Sequence, residues 1–389
     1  RDNLKHDNAQ LRVSSASLLL QAVAPRDNQV IGEAVAVLRE GLKDETAAIR
    51  IQAAHTLAVA NRDVPAALPV LIAGVKDKNA TIRLQAVQAL ARLGNQATPA
   101  VDALIVALQD KDAAVRQQAV WALQSYRGDA EKLMTALAPL LRDDNLSIRQ
   151  SVVNILSYNR GAEAIPLLIQ ALDDQNEGIR QQALQGLYRQ PKLDVKELLP
   201  KLKLLCKAEA VSVRQTAIAC CARLGNEGLA LVLEGCQDAE PYVRWSAAQA
   251  LGTMRVTDAT ALQTLVDMAL KDDNATVRNY AVNALNQLDA VDATLLAKLL
   301  ESKDVNTRRN VLYGIARRGP KGREAVPVVL PFIKDDNLFI RQAAIHALGQ
   351  IAPPSEEVLT ALRDLTNDPN PTIRQEAKVA LLGISKRKQ

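Results

Sequence analysis

Aromatic side chains are nearly missing from this chain: two Trp, six Tyr and two Phe make up 3% of 389 residues. Because the AVILMFWYC class still reaches 48%, the core must be built from Ala, Val, Leu and Ile, the residues of close helix-on-helix packing. Segments that alternate β-branched and aromatic residues, the usual strand signal, do not occur. Histidine is scarcer still. His6, His55 and His346 lie too far apart along the chain to form a histidine-based metal or acid–base cluster. No apolar run approaches the ~18 residues that cross a bilayer, and no basic-then-apolar secretory leader is seen. Neither GxSxG nor HExxH occurs. GIARRGPKG (314–322) resembles a phosphate loop only faintly, since Pro320 displaces the lysine and no strand precedes it. The net charge of +5 is spread so that no third of the chain is strongly basic, so a nucleic-acid partner would need a local patch. These absences point away from catalysis, with no cofactor and no metal expected.

What the chain does have is repetition. DKDAAVRQQAVWAL (110–123) recurs as DETAAIRIQAAHTL (44–57), DKNATIRLQAVQAL (77–90), DDNLSIRQSVVNIL (143–156), DQNEGIRQQALQGL (174–187) and DDNATVRNYAVNAL (272–285). One arginine anchors each of twelve units: Arg12, Arg50, Arg83, Arg116, Arg149, Arg180, Arg214, Arg244, Arg278, Arg308, Arg341 and Arg374. The spacing is mostly 33 residues, and its scatter sits mainly between Arg149 and Arg308. Repeats are numbered 1 to 12 by these arginines, and positions are counted from them.

The residue at −1 is Leu, Ile or Val in eleven units, +3 is Ala in nine and +7 is Leu in ten, which places one apolar stripe on a helix. Positions −12 and −8 are almost always apolar and define a preceding helix, so each unit reads as a helical hairpin. At −4, Asn or Asp appears nine times, suited to cap the second helix. Capping also accounts for Asn79, Asn145 and Asn274, which match the N-glycosylation pattern. Pro241 and Pro371 follow the cap position, where a missing N–H costs nothing.

Nine units carry Asp at −6, in the turn between the helices. This carboxylate is expected to reach the arginine of its own or the adjacent unit, and Asp44, Arg50, Asp77, Arg83, Asp110, Arg116, Asp143 and Arg149 form the candidate structural ladder. Together with prolines at −14 (Pro69, Pro166, Pro200, Pro327), these features resemble HEAT repeats, in particular the bacterial HEAT-like repeats named after phycobilisome lyases. The resemblance covers essentially the whole chain. It implies an all-α, right-handed α-α superhelix (solenoid) of about twelve HEAT-like hairpins, one array over 1–389 with repeat 1 truncated at its N-terminus. The opening at Arg1, within what reads as a first helix (RDNLKHD), suits a piece of a longer polypeptide or complex. Lys378 stands where other units have a small or apolar residue and reads as a C-terminal cap.

The family mostly supplies scaffolds, adaptors and regulators. Alkylpurine DNA glycosylases form one HEAT-like branch, but their catalytic aromatic and aspartate constellation has no residue-by-residue counterpart here. The four cysteines, Cys206, Cys220, Cys221 and Cys236, sit at apolar positions of repeats 7 and 8 and read as core. Cys206 and Cys236, equivalent in successive units, are expected ~8–10 Å apart, too far for a disulfide. Unpaired buried thiols suit a reducing, cytoplasmic compartment.

A partner would bind on the second helices, which line the concave side in the family's superhelix. Their outward positions +1, +5, +8 and +9 hold no Asp or Glu in 48 places and only Arg92, Arg189, Arg223, Arg309 and Arg317 as charges. A glutamine row (Gln117, Gln150, Gln181, Gln215, Gln342, Gln375) is interleaved with Trp121, Tyr158, Tyr188, Trp245 and Tyr313. The candidate partner-binding residues are Trp121, Tyr158, Tyr188, Arg189, Trp245, Arg309, Tyr313 and Arg317, with Trp121 and Trp245 foremost. A stripe packed between neighbouring helices is the structural alternative. The composition suits a neutral or acidic protein or peptide. Nucleic-acid binding or base processing is the rival, although five arginines over twelve units are sparse for it. The resemblance adds a third reading, a regulatory or lyase-type subunit acting on a chromoprotein. The densest basic patch spans 308–324.

Overall fold

The computed structural model describes residues 2–22, 27–124, 126, 128–159, 161–288 and 291–386. Among them it contains 23 α-helices and eight short 3-10 helices and no strand. The chain divides into two compact units, Arg1–Lys192 and Leu193–Gln389. Repeats 1–6 fall in the first and repeats 7–12 in the second.

Each repeat is a hairpin, as in Val64–Gly74 with Ala80–Leu93, or Ala259–Lys271 with Ala275–Gln287. In repeat 1 the place of the first helix is taken by a 3-10 turn, Asp2–Lys5, with Leu4 buried; Arg1 lies outside the described residues. The prolines at −14 take two places in the first helices: Pro69 and Pro200 sit inside theirs, while Pro166 and Pro327 open theirs. All nine predicted caps bind a backbone N–H of the first turn; Asn79 and Asn145, for example, each accept at 2.9 Å from Thr81 and Ser147. The helix formed by Pro241–Thr253 starts at its proline.

The repeat arginine has two jobs. In all twelve repeats its Nη1 donates to backbone carbonyls of its own turn, as Arg116 does to Asp110 O at 2.8 Å and Arg341 to Asp335 O at 2.8 Å. In repeats 3–5 and 7–10 the rest of the guanidinium reaches forward to a carboxylate of the next repeat. Arg83 meets Asp110 (Nη2–Oδ1 2.8 Å), Arg116 meets Asp143 (Nε–Oδ2 2.7 Å) and Arg149 meets Asp174 (2.8 Å). In the second unit Arg214 meets Asp238 and Arg244 meets Asp272, both at 2.8 Å. The carboxylate is held in turn, since Asp110 Oδ1 accepts the N–H of Asp112 at 2.8 Å and Asp143 that of Asn145 at 2.8 Å. The adjacent unit, and not the carboxylate's own, therefore supplies the arginine.

Two members of the candidate ladder depart from this. Asp44 and Asp77 bond the N–H groups of Thr46 and Asn79 at 2.8 Å but form no ion pair with the preceding arginine. Between Arg50 and Asp77 lies an open hollow of about 260 Å³, lined also by Pro69 and Ala73, so the guanidinium stops at its own turn. Repeat 10 shows a substitution of function. Ser302 occupies the −6 place, and Arg278 instead reaches the cap residue Asp304 at 3.1 Å.

Candidate partner-binding surface

The outward stripe is built from two kinds of position. At +8, small residues let successive second helices approach closely. A Cβ on Gly252 would meet Ala284 Cα at 2.9 Å, and one on Gly349 would meet Ala380 Cα at 2.9 Å. Ala58, Ser157 and Ala316 at the same offset are buried. So the expectation that every +8 side chain faces outward fails at Ala58, Ser157, Gly252, Ala316 and Gly349, which are buried. Positions +5 and +9 stay more open.

Amides tie the helices together. Gln117 donates to Ser151 Oγ at 2.9 Å, Gln182 to Asn154 at 3.0 Å and Asn310 to Asn279 at 2.9 Å. Part of the amide-rich surface therefore has a packing role, while Gln150 and Gln375 are exposed.

In the first unit, Trp121 is 64% exposed, Tyr158 70% and Tyr188 47%, and the Arg189 guanidinium lies 5.5 Å from the Tyr158 ring centre. A hollow of about 640 Å³ opens beside them, lined by Gln124, Tyr126, Leu133, Ile155, Tyr158 and Asn159. In the second unit, exposed Tyr313 and Arg317 border a hollow of about 560 Å³ with Asn283, Asn310, His346 and Gln350; the Tyr313 and His346 ring centres are 5.8 Å apart. Arg309 is half-buried. The eight candidate residues thus lie in two groups, one in each unit.

Trp245 departs from expectation. It is only half-exposed and stacks on Tyr280, with ring centres 4.6 Å apart and planes 26° off parallel. Its +1 position faces the next second helix, which happens to offer a ring, whereas Trp121 at +5 meets none. Sequence reading passed over Val59, Val379 and Leu382, exposed apolar residues on the same stripe. Their offsets alone, +9, +5 and +8, could have flagged them. His55, one of the stripe's two histidines, has its pKa lowered by burial and by the Arg92 charge.

Two guanidinium groups of the 308–324 patch are occupied within the fold. Arg308 is bound to Ser302 O at 2.9 Å and approaches Asp335 at 3.6 Å, and Arg318 donates to Val291 O at 2.7 Å. Arg309, Arg317, Lys321 and Arg323 carry what remains. Among the described residues no group of His, Cys, Asp or Glu is placed to hold a metal ion, and no helix is long and apolar enough to cross a membrane.

A family model for HEAT repeats matches at 2–91, 35–123, 68–145, 134–209, 199–286 and 293–382, all but the last overlapping. The chain belongs to the HEAT-repeat family. Over 120 residues this HEAT array is 30% identical to an uncharacterized phycocyanin operon protein Z from Pseudanabaena tenuis (strain PCC 7409), a match spanning 29% of the array and 58% of that protein. Among solved structures it resembles Kap121p, with a TM-score of 0.56 and 14% identity over 98% of this chain and 48% of that one. It also resembles Kap95p, solved with RanGDP, at TM-score 0.54 and 13% identity, covering 98% and 59%. These likenesses establish the all-α solenoid fold.

Proposed function

We propose that this HEAT array is a non-catalytic scaffold that holds a neutral-to-acidic segment of a partner protein along its second-helix stripe. One observation carries the reading: the 48 positions at +1, +5, +8 and +9 of the second helices contain no carboxylate, and among those that reach the surface Trp121, Tyr158, Tyr188 and Tyr313 are exposed beside Arg189 and Arg317. Exposed aromatic and arginine side chains are the usual anchors of protein interfaces, and a stripe free of acids repels no acidic segment. Kap121p, one of the structural neighbours, was solved bound to the extreme C-terminus of a protein phosphatase, which accords with a peptide-holding role for the fold. A cytoplasmic location suits four cysteines that form no disulfide.

A second reading, a regulatory or lyase-type subunit acting on a chromoprotein, draws on the likeness to phycocyanin operon protein Z. One experiment addresses both. Proteins retained from native lysate by the parent chain are compared with those retained by a Trp121→Ala, Tyr158→Ala, Tyr313→Ala variant, with purified phycocyanin as an added bait. A partner lost on the variant supports the stripe, and retention of phycocyanin supports the second reading. Identical partners in both samples exclude the stripe.

A further inference from the structure

We propose that Cys206 and Cys221 form a dithiol site in repeat 7 that a hydroperoxide oxidises to an intramolecular disulfide, joining the two helices of that hairpin. The two residues stand at −8 and +7, the facing core positions of one repeat. In repeats 2–4 these positions hold buried aliphatic pairs: Leu42 with Leu57, Val75 with Leu90, Leu108 with Leu123. In repeat 7 both are cysteine, and their sulfurs lie 3.7 Å apart in a thiol–thiol hydrogen bond. A disulfide needs about 2.05 Å, so the sulfurs have less than about 2 Å to close. Cys206 is well placed to move, because it follows the helix Val195–Leu205 at its C-terminal end, where the chain enters the turn.

Access separates the roles. Cys206 is half-buried and within reach of a small solute, whereas Cys220, Cys221 and Cys236 are buried. The Cys206 sulfur attacks one peroxide oxygen; the O–O bond breaks, the thiol's proton goes to the leaving hydroxide to give water, and a sulfenic acid remains. The Cys221 sulfur then attacks that sulfur, the S–S bond forms, and the S–O bond breaks. The departing hydroxide leaves as water with the proton of Cys221. The dithiol has given two electrons and two protons, and hydrogen peroxide has become two waters. The hydrogen bond with Cys206 and burial raise the Cys221 pKa, so this thiol retains its proton until that step. Burial pushes Cys236 up to about 12 and keeps it out of the chemistry.

The test uses the whole chain and hydrogen peroxide, followed by alkylation of remaining thiols and trypsin digestion without reductant. Cleavage yields Leu204–Lys207 and Gln215–Arg223. We expect these two peptides to appear covalently joined, with two of the four thiols lost and an intact mass lower by about 2 Da, the two hydrogens given up. Since Cys220 shares the second peptide, Cys220→Ser should keep the link, while Cys206→Ser and Cys221→Ser should abolish it. Reductant should restore four thiols. A link that survives in Cys221→Ser would overturn the proposal, as would over-oxidation of Cys206 without any link, or links only between molecules.

Discussion

Repeats 3–6 and repeats 9–11 use one motif with different grip. In the earlier stretch Arg83, Arg116 and Arg149 each hold the next carboxylate through both Nε and Nη2. In the later one Arg278 reaches Asp304 through Nε alone at 3.1 Å, and Arg308 comes no nearer to Asp335 than 3.6 Å, its Nε buried and unbonded. Across the same repeats the bond from Nη1 to the arginine's own turn does not weaken, at 2.9 Å for both Arg278 and Arg308. The turn bond is therefore what makes a repeat. The forward bond sets how tightly repeats are joined, and it can be tuned by a single side chain such as Ser302.

Four measurements press on this contrast. The largest effect should come from Arg116→Ala, which strips the turn bond and leaves Asp143, only 5% exposed, without its counter-charge. Removing one partner of a buried pair costs roughly 3–5 kcal/mol, read as lost amide-exchange protection in repeats 4 and 5, whereas Arg308→Ala should lose less than half as much. Acid should come next. Burial alone would raise Asp143 and Asp110, but the Arg116 and Arg83 guanidinium groups and the N–H groups of Asn145 and Asp112 outweigh it and hold both below the ordinary carboxylate pKa. A depressed native pKa contributes stability that is present above the unfolded value of about 3.9 and fades as pH falls through the native one. Urea midpoints should thus hold from pH 7 to about 5 and then drop, less steeply in Asp143→Asn than in the parent.

Ser302→Asp would restore the missing carboxylate and give Arg278 the two-pronged partner that Arg244 has in Asp272. A gain of about 1 kcal/mol is expected, and an unchanged urea midpoint would show that the −6 place no longer faces Arg278. The smallest effect separates the two tryptophans. Trp121→Ala should shift stability by no more than about 0.5 kcal/mol, while Trp245→Ala should cost at least about 1 kcal/mol for the lost stacking on Tyr280.

Much of this was legible in the chain because it is local and said twelve times. Hairpins, caps and proline places follow from offsets within some twenty residues of each arginine. What stayed hidden depends on which neighbour an offset meets. The aspartate at −6 is near its own arginine in sequence, but Arg83 to Asp110 spans 27 residues, and only stacking decides between them. Trp121 and Trp245 differ because Tyr280 sits on the following helix in one case. For the thiols, comparing equivalent positions in successive units paired Cys206 with Cys236, whereas the pair in contact lies across a single hairpin. The offsets −8 and +7 were visible throughout; their facing geometry was not.

Where the guanidinium of one repeat closes on the carboxylate of the next on both sides, as in the hairpins of Arg116, Arg149 and Arg244, the hairpin carries half of a bond at either border. Arg116 binds Asp143 ahead while Asp110, in the same hairpin, receives Arg83 from behind. Copying or excising a whole hairpin therefore rejoins a donor to an acceptor and strands no charge. A cut inside the hairpin would sever Asp110 from Arg116 and leave both borders unmatched. Growth and shrinkage of such a chain by duplication are electrostatically neutral only in steps of one complete repeat, which is a physical reason for a period near 33 residues to persist where the residues between the charges drift.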